Sequence, residues 1–254
     1  MFNETDNLRV PQYSYLARYY DRIMNHVDYK QWASYLKPLF SYSDLKVKYI
    51  ADISCGTGKL LPNLISENWK IYGSDLSSSM LKRAKSKTRT SGFFYFCSDA
   101  SAAGIKDNKF DIVLMLYDSI NYFVEDEKLT KLFEEVFRIL KRGGLFIFDV
   151  VTPDICIQNF SDYHEKNSWS NSGYERHSWY EKKSGIQYNE FTIYEGNDRY
   201  TELHAQKIRA IAEWKKILIP GSFEIIAVYD NFTYREADDR SERVHFLCKK
   251  KTDQ

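Results

Sequence analysis

The stretch from Tyr49 to Leu61, YIADISCGTGKLL, constrains the fold of this chain more than any other segment. It begins as a short apolar run and passes through a turn that contains Gly56 and Gly58. Leucines at helical spacing follow, so the pattern predicts a strand, a tight turn and a helix that extends to about Glu67. Because glycine has no Cβ atom, a ligand can lie against bare backbone where the helix N-terminus presents free N–H groups.

Two phosphate-binding patterns describe this turn poorly. A phosphate loop requires Gly, four residues and then Gly-Lys-Ser/Thr, but Ile53 stands at the first glycine and Leu60 follows Lys59. A dinucleotide fingerprint, Gly-x-Gly-x-x-Gly, needs a glycine where Leu61 stands, so close helix–strand packing over a pyrophosphate is not provided. The first pattern fails and the second is weakened, which leaves a nicotinamide-dependent oxidoreductase as an alternative.

The turn resembles the first motif of class I S-adenosylmethionine-dependent methyltransferases, which is an acidic residue followed by Gly-x-Gly-x-Gly. Asp52, Ser54, Gly56 and Gly58 fall on that pattern, with Ser54 in place of the first glycine. The resemblance runs from about residue 19 to residue 151. It implies S-adenosylmethionine as the cofactor and an α/β fold, a doubly wound seven-stranded Rossmann-like sheet.

The ends of the next two strands supply further predicted cofactor contacts. Asp75 follows the second strand, where a carboxylate can accept two hydrogen bonds from a ribose diol, although a helix cap is the structural alternative. In the family an acidic residue and then a small residue hold the adenine, and Asp99 and Ala100 match, with a surface turn as the alternative. The predicted site also includes Cys55, interpreted as a small buried residue and not a nucleophile, together with Leu76, Met80 and Leu116.

The fourth strand ends in polar residues that we expect to meet the methyl acceptor. Residues 110–116 form a nearly continuous apolar run, as a strand covered on both faces requires, and Asp118, Asn121 and Tyr122 follow. Base-methylating enzymes often carry Asp/Asn-Pro-Pro-Tyr/Phe here, and the absence of proline counts against a nucleic-acid substrate. The segment instead resembles the Asp-Ser-x-Asn-Tyr form of small-molecule methyltransferases, which places Tyr122 near the acceptor.

The first forty residues predict helical segments that are interrupted near residues 26–28. Their pattern of Tyr-Asp and then Asp-Tyr-x-x-Trp resembles the opening segment of sugar-amine and glycine-type N-methyltransferases, which folds over the cofactor. The resemblance implies cofactor contacts from Tyr20, Tyr29 and Trp32 and brings Tyr20 to the transfer site. Packing on the sheet is the alternative explanation for the apolar stripe of this segment, which consists of Tyr13, Leu16, Tyr20 and Ile23.

Residues 154–205 interrupt the alternation of strands and helices. Alternating, aromatic-rich segments separated by glycine-containing turns predict hairpins, and hence an inserted antiparallel sheet in a core made of residues 1–153 and 206–254. In related small-molecule enzymes a similar insert covers the active site, where Trp179 would form part of an aromatic wall, unless it only packs the insert on the core. His204 is the histidine expected to meet the cleft, either in catalysis or as a structural residue.

Composition limits the partners of the chain. Lys+Arg 36 against Asp+Glu 35 gives a net charge of +1, so no global field gathers nucleic acid or an anionic membrane. The sequence has no membrane-length apolar run and no apolar signal-peptide core, and we expect a cytoplasmic monomer or homodimer. Its four separated cysteines lack Cys-x-x-Cys, and no metal site is expected.

The predicted activity is methyl transfer to a nitrogen or oxygen of a small-molecule acceptor. The cofactor's sulfonium already activates the methyl carbon, so the protein contributes alignment and a dry cavity. Tyr20 and Tyr122 would orient an amine, whereas a hydroxyl acceptor needs a base, for which His204 and Asp118 are the candidates. The alternatives are a methyltransferase that acts on RNA or protein, a non-catalytic docking protein and the oxidoreductase.

Overall fold

Two β-sheets organise the chain in the computed structural model, which describes residues 7–87, 92–218 and 223–251. The strands are β1 (Asn7–Arg9), β2 (Tyr49–Asp52), β3 (Lys70–Asp75), β4 (Phe93–Cys97), β5 (Phe110–Met115), β6 (Leu140–Val151), β7 (Asp162–Trp169), β8 (Ser172–Glu181), β9 (Ile186–Glu195), β10 (Asp198–Lys207), β11 (Phe223–Asp230) and β12 (Arg243–Lys250). The larger sheet has the order β11-β12-β6-β5-β2-β3-β4, and the smaller has the order β1-β10-β9-β8-β7.

The seven-stranded sheet confirms the predicted doubly wound α/β fold. Strands β2 to β6 run parallel, and β12 pairs antiparallel with both β6 and β11. The helices that accompany the sheets are α1 (Tyr20–Ile23), α2 (Tyr29–Leu39), α3 (Ser78–Lys87), α4 (Asp126–Ile139), α5 (Pro153–Asn159) and α6 (Ile211–Leu218). No helix in the described ranges is both long enough and apolar enough to cross a bilayer.

Strand β5 shows why the sheet is buried on both faces. Each of its residues is buried, and successive side chains enter opposite cores because strand side chains alternate. Val113 and Met115 join the core that contains α4 and α6, while Ile112 and Leu114 join the core that contains α2. The polar residues that follow β5 are thereby held at the carboxyl end of a fixed strand.

The prediction of a helix from the glycine turn to about Glu67 is wrong. Only a short 3₁₀ helix, Leu61–Leu64, follows the turn, and Ile65 is already extended. Pro62 lies in that single turn and cannot donate a backbone hydrogen bond, and the next residues form a turn in which the Trp69 N–H donates to the Ser66 carbonyl (3.1 Å). The buried leucines of one short turn cover the sheet here without a longer helix.

The smaller sheet consists mainly of the predicted insert. Strands β7 to β10 form an antiparallel meander over residues 162–207, and α5 joins it to β6, a helix that the sequence pattern did not indicate. Strand β1 adds to this sheet by pairing parallel with β10, so that Leu8 lies opposite Tyr200. The N-terminal segment therefore runs from the smaller sheet to the larger one, across the ends of the parallel strands.

Candidate active site

The main cavity of the candidate site lies at the carboxyl ends of β2, β3, β4 and β5 and has a volume of about 670 Å³. A narrower cavity of about 60 Å³ shares Tyr20, Ser54, Gly56 and Ser119 with it. In parallel sheets ligands bind outside the carboxyl ends of the strands, which is where both cavities lie. The structure brings most predicted cofactor residues to the main cavity (Tyr20, Ser54, Gly56, Asp75, Leu76, Met80, Asp99, Ala100) or the narrow one (Tyr29, Trp32, Asp52, Cys55, Leu116).

The two glycines of the turn have different tasks. Both have positive φ, +54° at Gly56 and +71° at Gly58, which favours glycine. A Cβ atom on Gly56 would meet nothing within 4 Å, so this backbone is open to a ligand. A Cβ atom on Gly58 would lie 2.9 Å from the Tyr95 hydroxyl, and Gly58 lines neither cavity. Gly58 therefore allows the turn to pack on β4, while Gly56 exposes the backbone.

Asp75 connects two backbone segments that line the main cavity, through hydrogen bonds to both. Its Oδ2 accepts a hydrogen bond from the Gly56 N–H (2.8 Å) and its Oδ1 accepts one from the Ser77 N–H (2.8 Å). Burial raises its pKa, while these two backbone donors oppose that shift. A carboxylate has about four acceptor positions, so two backbone bonds leave room for a ribose diol. Leu76 beside it is 72% exposed and lines the same cavity, as a residue that stacks on an adenine ring would.

The narrow cavity suits an amino-acid tail. Burial raises the pKa of Asp52 to about 7, and the nearby Asp75 charge contributes to this rise. A hydrogen bond from the Ser54 N–H acts in the opposite direction and lowers the pKa. The Ser54 hydroxyl is buried and has no hydrogen-bond partner in the described part of the chain. A ligand that carries an ammonium and a carboxylate would neutralise Asp52 and supply the hydroxyl with a partner. These residues fit the methionine part of S-adenosylmethionine.

Asp21 connects the N-terminal helices to the glycine turn. It accepts hydrogen bonds from the Thr57 hydroxyl (2.5 Å) and from the Lys87 ammonium (2.5 Å). These partners lower its pKa although burial opposes them. The connection holds Tyr20, Tyr29 and Trp32 over the turn, where Tyr20 lines both cavities. The N-terminal segment thus covers the cofactor cavity.

Four polar side chains meet at the other end of the main cavity. The Tyr122 hydroxyl lies 2.6 Å from the Tyr13 hydroxyl and 2.9 Å from His204 Nδ1. His204 Nε2 lies 3.3 Å from Glu202 Oε2, and both residues are at most 1% exposed. Tyr13 and Tyr122 line the cavity, and His204 stands behind them. The roles of Tyr13 and Glu202 were missed because neither residue follows a strand of the central sheet.

Three residues proposed to contact the substrate lie elsewhere. Asp118 has a left-handed backbone (φ +51°) and directs its carboxylate to Arg243 (3.0 Å) and Gln206 (2.8 Å). Asn121 is fully buried with no side-chain hydrogen bond in the described ranges, and Trp179 stacks on Tyr188 in the smaller sheet. None of the three lines either cavity.

Arg243 balances the charge of two carboxylates, Asp118 and Asp149, next to the Tyr122 end of the site. It bonds Asp149 and Asp118, and its guanidinium lies 4.8 Å from the centre of the Tyr117 ring. Burial raises the pKa of both carboxyls, and Arg243 opposes the rise in each. Asp149 also accepts backbone N–H bonds from Tyr117 (2.6 Å) and Asp118 (3.0 Å). This network fixes the loop that carries Tyr122.

The cysteines and histidines give two further results. Burial raises the pKa of Cys55, so this thiol stays protonated and is a poor nucleophile. Asp162, His164 and His177 place possible metal-ligand atoms within 4.8 Å of one another on β7 and β8, a cluster that sequence spacing did not indicate. These three residues line neither cavity of the site.

The fold and this site define an enzyme that binds S-adenosylmethionine, and comparisons with known proteins agree. A family model described as "Methyltransferase domain" matches residues 50–144. A Geobacillus sp. (strain WCH70) protein named "Putative methyltransferase GWCH70_2453" is 30% identical over 251 residues, which cover 94% of this chain and 99% of that protein. The chain belongs to the class I S-adenosylmethionine-dependent methyltransferases.

Solved structures give the same result. An S-adenosylmethionine-dependent methyltransferase from Clostridium acetobutylicum ATCC 824 superposes with a TM-score of 0.79 and is 28% identical, over 94% of this chain and 99% of that one. CalS10, an amino pentose methyltransferase from Micromonospora echinaspora solved with S-adenosylmethionine, is 15% identical with a TM-score of 0.69, over 93% of this chain and 96% of that one. The second comparison shows a shared fold.

Proposed function

We propose that this methyltransferase transfers the methyl group to a nitrogen or oxygen of a small-molecule acceptor. The observation that carries the proposal is the extent of the main cavity, which continues from Gly56 and Asp75 to an end lined by Tyr13, Tyr122 and Phe123. Its volume of about 670 Å³ lies within the usual range of roughly 300–1,000 Å³ for small-molecule sites. The end beyond the cofactor residues is where an acceptor would bind.

The residues of this chain divide the work between binding and alignment. When bound, the cofactor supplies a methyl group on a positively charged sulfur. Asp52 and Ser54 would hold its amino-acid tail, Asp75 its ribose, and Asp99 with Ala100 its adenine. Tyr20 lies between the two cavities, and its burial keeps the phenol protonated at neutral pH by raising its pKa. Tyr20 can therefore donate a hydrogen bond at the transfer site.

The cover over the acceptor end favours a small molecule over RNA or protein. Strand β10 and the N-terminal segment are joined by the bonds of Glu202 to the N–H groups of Tyr13 (2.6 Å) and Tyr15 (2.7 Å). A nucleotide or peptide side chain that is part of a polymer would have to enter past these joined segments, which a free small molecule does more easily. The amino pentose methyltransferase that shares the fold acts on a small molecule by its name, which supports the proposal by analogy.

Two measurements test the proposal, and the first concerns the cofactor. Isothermal titration calorimetry should show S-adenosylmethionine binding that Asp75→Ala weakens by about 10²–10⁴-fold, since two charge-assisted hydrogen bonds of roughly 1.5–3 kcal/mol each are lost. Circular dichroism should show that the variant is folded. The matched control is Asp162→Ala on the smaller sheet, which should bind normally because Asp162 lines neither cavity.

The second measurement concerns the acceptor. Small amines, amino acids, sugars and phenols are screened for release of S-adenosylhomocysteine, alongside total RNA and unfolded protein. Turnover with a small molecule is expected. Turnover with RNA or protein alone would refute the proposal, as would an affinity for the cofactor that Asp75→Ala leaves unchanged.

A further inference from the structure

A hydrogen-bonded series leads from the acceptor end of the cavity to a buried carboxylate. It starts at the Tyr13 hydroxyl, passes to the Tyr122 hydroxyl (2.6 Å) and to His204 Nδ1 (2.9 Å), and ends where His204 Nε2 meets Glu202 Oε2 (3.3 Å). Tyr13 and Tyr122 line the cavity, whereas Glu202 is 0% exposed. A ligand in the cavity can therefore reach the series at the two phenols, whereas His204 and Glu202 do not line the cavity.

Glu202 fixes the direction of every bond in the series. Its Oε2 accepts the Tyr13 N–H (2.6 Å), and its Oε1 accepts the N–H groups of Tyr15 (2.7 Å) and Leu16 (2.9 Å). Three backbone N–H donors stabilise the group as an ionised carboxylate, which only accepts, so the hydrogen of its contact with His204 lies on Nε2. In the neutral imidazole Nδ1 is then the acceptor, so Tyr122 donates to it and accepts in turn from Tyr13. The Tyr13 oxygen is left with lone pairs that no described residue fills.

We propose that the acceptor is a hydroxyl compound, which donates a hydrogen bond to the Tyr13 oxygen and loses its proton through Tyr122 to His204. The inference rests on the proposed function and narrows its acceptor to one chemical class. The acceptor oxygen forms the new bond to the methyl carbon, and the electrons of the broken carbon–sulfur bond remain on sulfur. Each phenol receives one proton and passes one on, so that His204 becomes an imidazolium beside the Glu202 carboxylate.

The backbone at Tyr13 supports a functional role for this residue. Its φ of +57° is rare for a bulky side chain and costs roughly 1–3 kcal/mol, and such strain concentrates at functional sites. The Glu202 carboxylate holds the N–H of Tyr13, and the Ser77 hydroxyl donates to its carbonyl (3.1 Å). Ser77 also donates its N–H to Asp75, so the cofactor rim and the acceptor-facing phenol are connected.

The charged groups around the series favour transfer along neutral phenols. Burial, first of all, raises the pKa of both Tyr13 and Tyr122, and the Asp118 carboxylate adds to this, while Arg176 opposes it at Tyr122. A stable tyrosinate is therefore disfavoured, and each phenol has to give up a proton as it gains one. The hydrogen bonds from His204 and from backbone N–H groups lower the pKa of Glu202 although burial opposes them.

Nuclear magnetic resonance tests the direction of the series without any acceptor. ¹⁵N-labelled histidine should show His204, assigned by its loss in His204→Gln, as the neutral tautomer with hydrogen on Nε2. A hydrogen on Nδ1 would overturn the proposal, because Tyr122 would then accept from His204 and the series would point the other way.

Kinetics test the proton transfer, using the acceptor found by the screen. Glutamine in His204→Gln can keep both hydrogen bonds but cannot take up a proton. It should lower kcat about 10²–10⁴-fold and leave KM and cofactor affinity nearly unchanged. Tyr13→Phe should lower kcat and raise KM, whereas Tyr188→Phe, in the smaller sheet and outside both cavities, should change neither.

The outcomes separate the two proposals. Turnover of neutral amines alone, with the kcat of His204→Gln unchanged, would overturn the hydroxyl assignment and leave small-molecule methylation standing. Absence of turnover with every small molecule would refute the proposed function, and the hydroxyl acceptor with it. Turnover of alcohols or phenols that His204→Gln abolishes supports both, provided that His177→Gln on the smaller sheet behaves like the wild type.

Discussion

Removal of the Ser54 hydroxyl should change stability and cofactor affinity in opposite directions. In the ligand-free protein this hydroxyl is buried with no partner among the described residues, an arrangement that costs roughly 1–3 kcal/mol. Ser54→Ala removes the cost and leaves only a space the size of one oxygen. We expect a gain of about 1 kcal/mol in the free energy of unfolding, which corresponds to about 2–4 °C in Tm for a chain of this size.

Cofactor binding should weaken in the same variant. Ser54 lines both cavities, and a hydrogen bond from its hydroxyl to the bound ligand is worth about 0.5–1.5 kcal/mol net, or roughly 2–12-fold in Kd. Urea unfolding without ligand gives the first quantity, and calorimetry with S-adenosylmethionine gives the second. A hydroxyl with a purely structural role would move only the first.

A buried serine that is fully bonded provides the control. The Ser178 hydroxyl lies 2.8 Å from Arg176 Nε and donates to Asn189 (2.7 Å) in the smaller sheet. Ser178→Ala should therefore lose about 0.5–1.5 kcal/mol of stability because its hydrogen bonds are lost, while Asn189 keeps the bond from Arg176 (2.7 Å), and Kd should not change. If Ser54→Ala destabilised the free protein, or bound the cofactor as tightly as the wild type, the assignment of Ser54 to the methionine tail would be refuted.

Two further predictions concern buried charges. Burial raises the pKa of Asp52 to about 7, so its contribution to stability is fully present below the unfolded value near 4 and is lost as pH rises through about 7. The Tm of the free enzyme should therefore fall between about pH 4 and pH 7, and it should fall less in Asp52→Asn. A flat difference between the two melting curves across this range would contradict it. Arg243→Met should cost about 3–5 kcal/mol in urea unfolding, because Asp118 and Asp149 lose their counter-charge, and Arg243→Lys should cost less. Equal losses in the two variants would show that packing, not charge, is the cause.

The meeting of the proposed cofactor residues at one cavity was predictable because they lie at strand ends. Asp52, Asp75 and Asp99 each stand at or just after a parallel strand, and a parallel sheet brings such positions to one edge. The strand–turn–helix pattern erred only in the length of the helix, which ends after one turn because the backbone of Ile65 (φ −50°, ψ 135°) is no longer helical. Local periodicity does not show how far a short apolar segment continues.

The cavity end proposed for the acceptor was much less predictable because its contacts join distant parts of the chain. Tyr13 and Tyr122 are 109 positions apart, and Glu202 bonds the backbone of Tyr13 across 189 positions. Asp118 stands where a strand-end carboxylate would be expected to face the cavity, but its left-handed backbone turns it to Arg243. No local pattern encodes that reversal.

The pairing of β1 with β10 has a consequence for how enzymes of this shape can diversify. The strand-end residues proposed to hold the cofactor lie between Asp52 and Leu116, whereas Tyr13, at the proposed acceptor end, belongs to the N-terminal segment and is held by Glu202 of β10. We therefore expect that paired changes in the N-terminal segment and in β10 can alter the acceptor end without changing these strand ends. Exchange of these two segments together, and not of either alone, is the natural unit for re-engineering the specificity of this enzyme.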